Sequence, residues 1–163
     1  MKTILYRDIN LEEDYEFCRN LHHSAYRDVV IRQFGSWDES LQDGFFREGL
    51  NRAPHKIVEL DGVPIGVVST EIKPDCLYLS ELQLLPEYQG RGIGSLIVKE
   101  QMEVAKSLNL PLRLVVLRGN RAQELYRRLG FMTTGTTETH VKMECGGSQT
   151  IRADRHGARS PKR

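Results

Sequence analysis

"EYQGRGIGS", residues 87–95, places three glycines in alternation with Arg91 and Ile93, directly after an apolar run and directly before a helical one. Glycine adopts backbone conformations that a Cβ forbids and lets another molecule approach the chain closely. Where a helix begins, the first-turn N–H groups have no intrahelical partner and the positive end of the helix dipole faces outward, which suits a phosphate. The stretch therefore reads as a strand-to-helix junction built to face an anion.

Working outward, Leu96, Ile97, Val104, Ala105 and Leu108 mark the helix that starts inside the glycines, and "CLYLSELQLL" is the strand that leads into them. Upstream of that strand, "HKIVEL", the turn "DGVP" and "IGVVSTEI" give two more, so three hairpin-joined antiparallel strands precede the loop. Thr3 to Ile9 reads as a first short strand. Asn10 and Glu13 then stand at the spacing of a helix N-cap and its reciprocal partner. Leu11, Tyr15, Cys18, Leu21, His22, Ala25 and Val29 continue one helical face, Gly35 stops it, and Ser36 or Asp38 caps a second helix toward Leu50. Downstream, "LRLVVL" is a strand, Asn120 caps a helix carrying Ala122, Leu125, Tyr126 and Leu129, Gly130 ends it, and "FMTT" and "ETHVKME" are the last two strands. This order predicts one mixed α/β domain over residues 1–145.

A chain of 163 residues buries a core without disulfides. Its net charge of +1 is uneven: Arg152, Arg155, Arg159, Lys162 and Arg163 stand against Asp154 in residues 146–163, which leaves residues 1–145 net acidic. The body is thus no nucleic-acid binder, and the basic tail, poor in apolar residues, is expected to be disordered. A tail reading, salt-sensitive contact with nucleic acid or an acidic partner, stands beside that of a solvated terminus. Cys18, Cys76 and Cys145 form neither a disulfide framework nor a zinc set. With no signal-peptide pattern and no long apolar run, the expectation is a cytoplasmic protein that meets no membrane.

Three phosphate-binding designs compete for the glycines. The P-loop requires a Lys that this loop lacks, since Lys99 lies a full turn into the helix. The dinucleotide fingerprint requires a glycine where Ser95 stands and an acid where the next strand ends in Leu117 and Arg118. The third, Gln/Arg-x-x-Gly-x-Gly/Ala, is met by Gln89, Gly92 and Gly94. With the strand and proline before it, and with "NRAQELYRRLGF" further on, the chain resembles the GNAT superfamily of N-acetyltransferases from about Thr3 to Glu144. A bare strand-to-helix turn is the alternative reading of the glycines.

The resemblance implies a GNAT-like fold: a mostly antiparallel sheet of six to seven strands with a splayed pair, flanked by about four helices. It implies acetyl-coenzyme A as co-substrate, no metal, and a primary amine on a small molecule, peptide or protein as acceptor, with a homodimer among the assemblies. Gln89, Gly90, Arg91, Gly92, Ile93, Gly94 and Ser95 are the expected diphosphate loop. Leu82 and Leu84 are expected to offer backbone groups at the splay, and Asn120 both to cap its helix and to touch the cofactor. Tyr126 matches the family's general acid, although its place beside Leu125 and Leu129 equally suits a core tyrosine. Glu81 is the candidate base, or else a solvent-facing carboxylate. Strand alternation sets it on one face with Leu79 and Gln83, opposite Ser80 and Leu82. Tyr26, Arg27, Trp37, Asp38, Glu39 and Gln42 form an acceptor set whose rings and carboxylates suit a cation, and His140 on the last strand joins it. A module that binds acyl-coenzyme A without transfer is the rival function.

Overall fold

Asn10 starts the first long element. In a computed structural model that describes residues 2–147, its side chain accepts from the Glu12 amide at 3.1 Å. The reciprocal bond to its own amide comes from Asp14 at 2.8 Å, not from Glu13. Asp14 is the better placed because Arg7 of strand β1 (Ile4–Asp8) grips both its oxygens, at 2.7 and 2.9 Å, and so ties strand to helix. Helix α1 (Leu11–Phe34) then runs to Gly35, whose φ of 88° turns the chain out. Asp38 accepts from Leu41 at 2.9 Å and caps α2 (Glu39–Arg52).

The chain continues through β2 (His55–Leu60), β3 (Val63–Ile72) and β4 (Leu77–Leu84), then a single 3₁₀ turn at Pro86–Tyr88. After it come α3 (Ile93–Ser107), β5 (Leu112–Leu117), α4 (Ala122–Arg128), β6 (Met132–Thr136) and β7 (His140–Cys145). The β2–β3 turn is shorter than the expected "DGVP": only Asp61 and Gly62 form it, both at positive φ, as a type I′ hairpin requires, and Val63 and Pro64 already belong to β3. Among the described residues there is one seven-stranded sheet, ordered β1-β2-β3-β4-β5-β7-β6, in which only β4 and β5 are parallel. Helix α3 makes that parallel crossover.

Apolar side chains divide between the two faces. Helices α3 and α4 cover one, where Ile97, Val98, Tyr126 and Phe131 pack with Val58, Ile65, Leu77, Leu79 and Leu84. Helices α1 and α2 cover the other, where Cys18, Leu21 and Phe46 pack with Ile57 and Val67. Gly66 permits close contact within the sheet, since a Cβ there would overlap the Gln83 carbonyl.

Two irregularities of β4 position the site. Its pairing with β5 stops after Leu77 with Leu112 and Tyr78 with Arg113, so the two strands part beyond Tyr78. Its pairing with β3 slips between Ser69 opposite Glu81 and Thr70 opposite Leu79, which makes Ser80 the extra residue of a bulge. The bulge reverses the side-chain phase. Leu79 faces the α3 core while Glu81 joins Gln83 on the α1 side, so the expectation that Glu81 and Leu79 share a face is corrected. The tail expected from residue 146 lies, from Ser148 onward, outside the described residues.

Candidate active site

The gap between β4 and β5 leaves backbone groups of β4 without a strand partner. Leu85 donates to the Ile65 carbonyl of β3 at 2.8 Å, so by alternation the amides of Leu84 and Leu82 point away from β3, into the gap. Gln89 closes the lower end of that edge: its side-chain amide donates to the Leu84 carbonyl at 2.9 Å. The expected loop residue Gln89 therefore acts through its side chain as a strap between loop and strand.

Beyond the strap, Gly90 and Gly92 take φ of 69° and 82°, the left-handed region, and Gly92 is the residue from which α3 starts. Leu96 is the first amide of α3 with a backbone partner, the Gly92 carbonyl at 3.0 Å. The amides of Ile93, Gly94 and Ser95 lie ahead of it in the first turn, where a helix provides them none. Gly94 differs from its neighbours: its φ is ordinary, and a Cβ there would make normal contact with Leu125 at 3.6 Å. The turn itself thus rests on Gly90 and Gly92. The exposed Arg91 lies over the Tyr88 ring, 5.6 Å from its centroid. Arg121 is the residue directly before α4, but Asn120, one position further out, accepts from the Ala122 amide at 2.9 Å and so satisfies the helix's first N–H.

Glu81 is not the solvent-facing carboxylate of a half-exposed sheet. Tyr26 of α1 donates to it at 3.0 Å and Gln83 at 2.8 Å, yet burial outweighs both bonds and raises its carboxyl to about 7. Beside it, Tyr126 of α4 is only 5% exposed and stacks on Phe131, with ring centroids 5.4 Å apart. Its hydroxyl has no hydrogen-bond partner among the described residues, and no fully buried side-chain oxygen there is unsatisfied, so this oxygen opens to the cleft. Burial, and then the Glu81 charge, push the phenol up to about 12. The same two causes raise Tyr26. Three groups from α1, β4 and α4 thus share one electrostatic environment at the mouth of the β4–β5 gap.

The rest of the expected acceptor set is engaged elsewhere. Trp37 donates to Glu39 at 2.7 Å, stands edge-on to His23 and lies under the Arg27 guanidinium. Asp38 caps α2, Gln42 is buried, and Glu39 receives Arg19 at 2.7 Å. The rings and carboxylates read as suited to a cation therefore hold the protein's own arginines. Glu39, Asp43 and His23 present ligand atoms within 4.8 Å of one another, but Arg19 bridges both carboxylates and supplies the positive charge there. His140 bonds its neighbour Thr139 at 2.7 Å, at the end of β7 opposite Leu117.

Sequence reading missed the histidine pair next to Glu81. His22 and His23 approach through their Nδ1 atoms at 3.1 Å, and His23 Nε2 meets Asp43 at 2.7 Å. His22 stacks on Tyr26, with ring centroids 4.8 Å apart. With His55, Gln83 and Glu81 it lines a small cavity of about 10 Å³ under α1 and α2. The adjacent histidines were the only local signal, because their partner lies 20 residues on.

A model of the Acetyltransferase (GNAT) family matches residues 14–131. The chain is 30% identical over 152 residues to an uncharacterized N-acetyltransferase of Methanocaldococcus jannaschii, covering 80% of this chain and 62% of that one. It is 48% identical over 56 residues to the thialysine N-epsilon-acetyltransferase of Bos taurus, a third of each chain. It thus spans a third to three fifths of these relatives' lengths. Among solved structures, the PaiA N-acetyltransferase of Thermoplasma acidophilum, in complex with coenzyme A, superposes with a TM-score of 0.69 at 22% identity, covering 87% of this chain and 98% of that one. Apo YjaB of Escherichia coli also scores 0.69, at 19% identity, covering 90% and 99%. At such identities the likeness is one of fold.

Proposed function

The chain belongs to the Acetyltransferase (GNAT) family, and from that premise we propose that it transfers the acetyl group of acetyl-coenzyme A to a primary amine by direct attack in a ternary complex. The observation that carries the reading is Glu81: a carboxyl raised to about 7, held by Tyr26 and Gln83 at the mouth of a strand gap, beside the open hydroxyl of Tyr126.

The residues fit the co-substrate. Amides from Gly90 to Ser95 at the start of α3 hold a diphosphate without a metal, and Arg91 adds a charge-assisted bond. The outward amides of Leu82 and Leu84 complete a ladder with an extended ligand arm, and one of them receives the thioester oxygen as charge develops on it. Asn120 touches the cofactor from the start of α4. The bound thioester supplies an activated acyl carbon.

An amine with the ordinary lysine pKa of about 10.4 is almost wholly protonated at neutral pH, so a base must uncover its lone pair. Glu81, poised near neutrality, takes that proton. As the amine nitrogen bonds the acyl carbon and the carbon–sulfur bond breaks, Tyr126 donates to the departing sulfur and recovers its proton from the second one that the nitrogen sheds. Protonation of Glu81 assists this step, because it removes one of the two causes that hold the phenol up. Tyr26 acts as the donor that orients Glu81.

The test is release of free thiol from acetyl-coenzyme A in the presence of thialysine, polyamines, amino acids and peptides with free amino groups. Amine-dependent release supports the transfer, and mass spectrometry of the product names the acceptor. Tight binding of acetyl-coenzyme A with no such release would make the chain an acyl-coenzyme A binding module instead. Among the described residues no helix is long and apolar enough to cross a membrane.

A further inference from the structure

The proposed reaction has a surplus proton. An acceptor that arrives as an ammonium loses two: one ends on the coenzyme thiol, and the other must reach solvent in every turnover. Glu81 collects it in a place closed above by Tyr26 and beside by Tyr126, with the cleft itself filled by the reactants. Behind Glu81 lies the small cavity lined by Cys18, His22, Phe46, Gly49, His55, Val67, Glu81 and Gln83, with room for about one water.

We infer that His22, His23 and Asp43 form the outlet for this proton, leading from Glu81 through the cavity to the α1–α2 surface. A neutral His23 gives the chain its direction. Asp43 as a carboxylate only accepts, so His23 presents Nε2–H to it across 2.7 Å. Neutral His23 then carries a lone pair on Nδ1, and His22 donates its own Nδ1–H there across 3.1 Å. His22 is left with an unprotonated Nε2, and its ring lines the cavity that Glu81 also lines. A proton taken up at Nε2 releases the one on Nδ1 to His23, which releases its Nε2 proton toward Asp43, a quarter exposed and open to solvent. Each imidazole gains one proton and loses one, and a tautomeric flip resets it.

The surroundings suit transit. Burial lowers His22 to about 4, below the Glu81 carboxyl at about 7, so the ring carries the proton only in passing. The other titratable groups facing the pair are Cys18, Arg19 and Tyr26 from α1, Glu39 and Asp43 from α2, His55 from β2 and Glu81 from β4. The Arg19 hydrogen bond lowers the Asp43 carboxyl and thus keeps it an acceptor. His22, His23 and Asp43 touch no reactant, so they are positioning residues that act through Glu81.

This inference rests on the transfer reading, and two measurements separate the fates of the two. Nitrogen-15 NMR of the full chain, with neither acceptor nor cofactor, is expected to show His22 protonated at Nδ1 and His23 at Nε2, with both tautomers inverted in Asp43→Asn. Kinetics with thialysine, or with the panel amine that turns over, are expected to show kcat lowered about ten-fold in His22→Phe, below the effect of losing the base itself, with the KM for acetyl-coenzyme A unchanged. The phenyl ring keeps an aromatic partner for Tyr26 and Phe46 while it removes both nitrogens. Asp43→Glu should retain the wild-type tautomers and most of kcat, and thermal melting checks that each variant folds. Opposite tautomers in the wild type, or an undiminished kcat in folded His22→Phe, would overturn the outlet and leave the transferase standing. Wild-type protein without amine-dependent thiol release would overturn both.

Discussion

The loop that follows β4 and the wall that faces it are made in opposite ways. The loop uses backbone: Gly90 and Gly92 at positive φ, the first-turn amides of α3, and one side chain, Gln89, strapping it to Leu84. All of this lies within a dozen consecutive residues. The wall uses side chains, and its three members come from α1, β4 and α4, so that Tyr26 and Tyr126 are a hundred residues apart. A backbone site tolerates change in most side chains around it, whereas a side-chain site fails with any one of its members. The difference teaches where substitution should touch chemistry and where it should touch only binding or folding.

The sharpest way to break the comparison is Glu81→Gln. It should lower kcat by about 10²–10³-fold while leaving the KM for acetyl-coenzyme A nearly unchanged, and a large rise in that KM would show that wall and loop are one site. Tyr126→Phe comes next, with kcat down about ten- to a hundred-fold by thiol release, and cofactor affinity by calorimetry intact; an unaltered rate would return Tyr126 to the core. In the loop, Gly92→Ala should cost about 1–2 kcal/mol in a denaturant melt and weaken coenzyme binding, because the new Cβ must adopt φ near 82°. A Gly92→Ala protein with full affinity would show that this backbone conformation is dispensable.

Glu81 also makes a prediction about stability. Its carboxyl lies near 7 in the folded protein against an ordinary value of 4.5, so folding favours the protonated form. That contribution is complete below about pH 4.5 and is lost as pH rises through about 7. The melting temperature of the wild type should therefore fall, relative to Glu81→Gln, between pH 5 and 8, and parallel curves would show the group to be solvated. The smallest effect is expected at Gly94→Ala, within about half a kcal/mol, since its φ is ordinary and the added methyl meets Leu125 at van der Waals distance.

Much of the fold was readable because its signals are local. Periodicity located α1, α3 and the strands, and Asn10, Asp38, Gly35 and Gly130 marked the right helix ends. What misled was equally specific. Asp14 displaced Glu13 as the reciprocal cap because Arg7 reaches it from β1. Alternation failed at Glu81 because Ser80 adds a residue to β4, and no pattern of polar and apolar types announces a bulge. Trp37 and Glu39 suggested a cation site, yet Arg27 and Arg19, ten and twenty residues back, had already filled it. Gly66, with nothing in the sequence to distinguish it, turned out to be where Gln83 passes too close for a side chain.

The order of elements and the glycine turn were determined by sequence alone, since backbone dihedrals and first-turn amides depend on residues a few positions apart. The raised carboxyl of Glu81 was decided only in three dimensions. A carboxyl's pKa depends on what excludes water from it and what donates to it, and for Glu81 those groups arrive from α1, α2 and α4 only when the sheet has been covered.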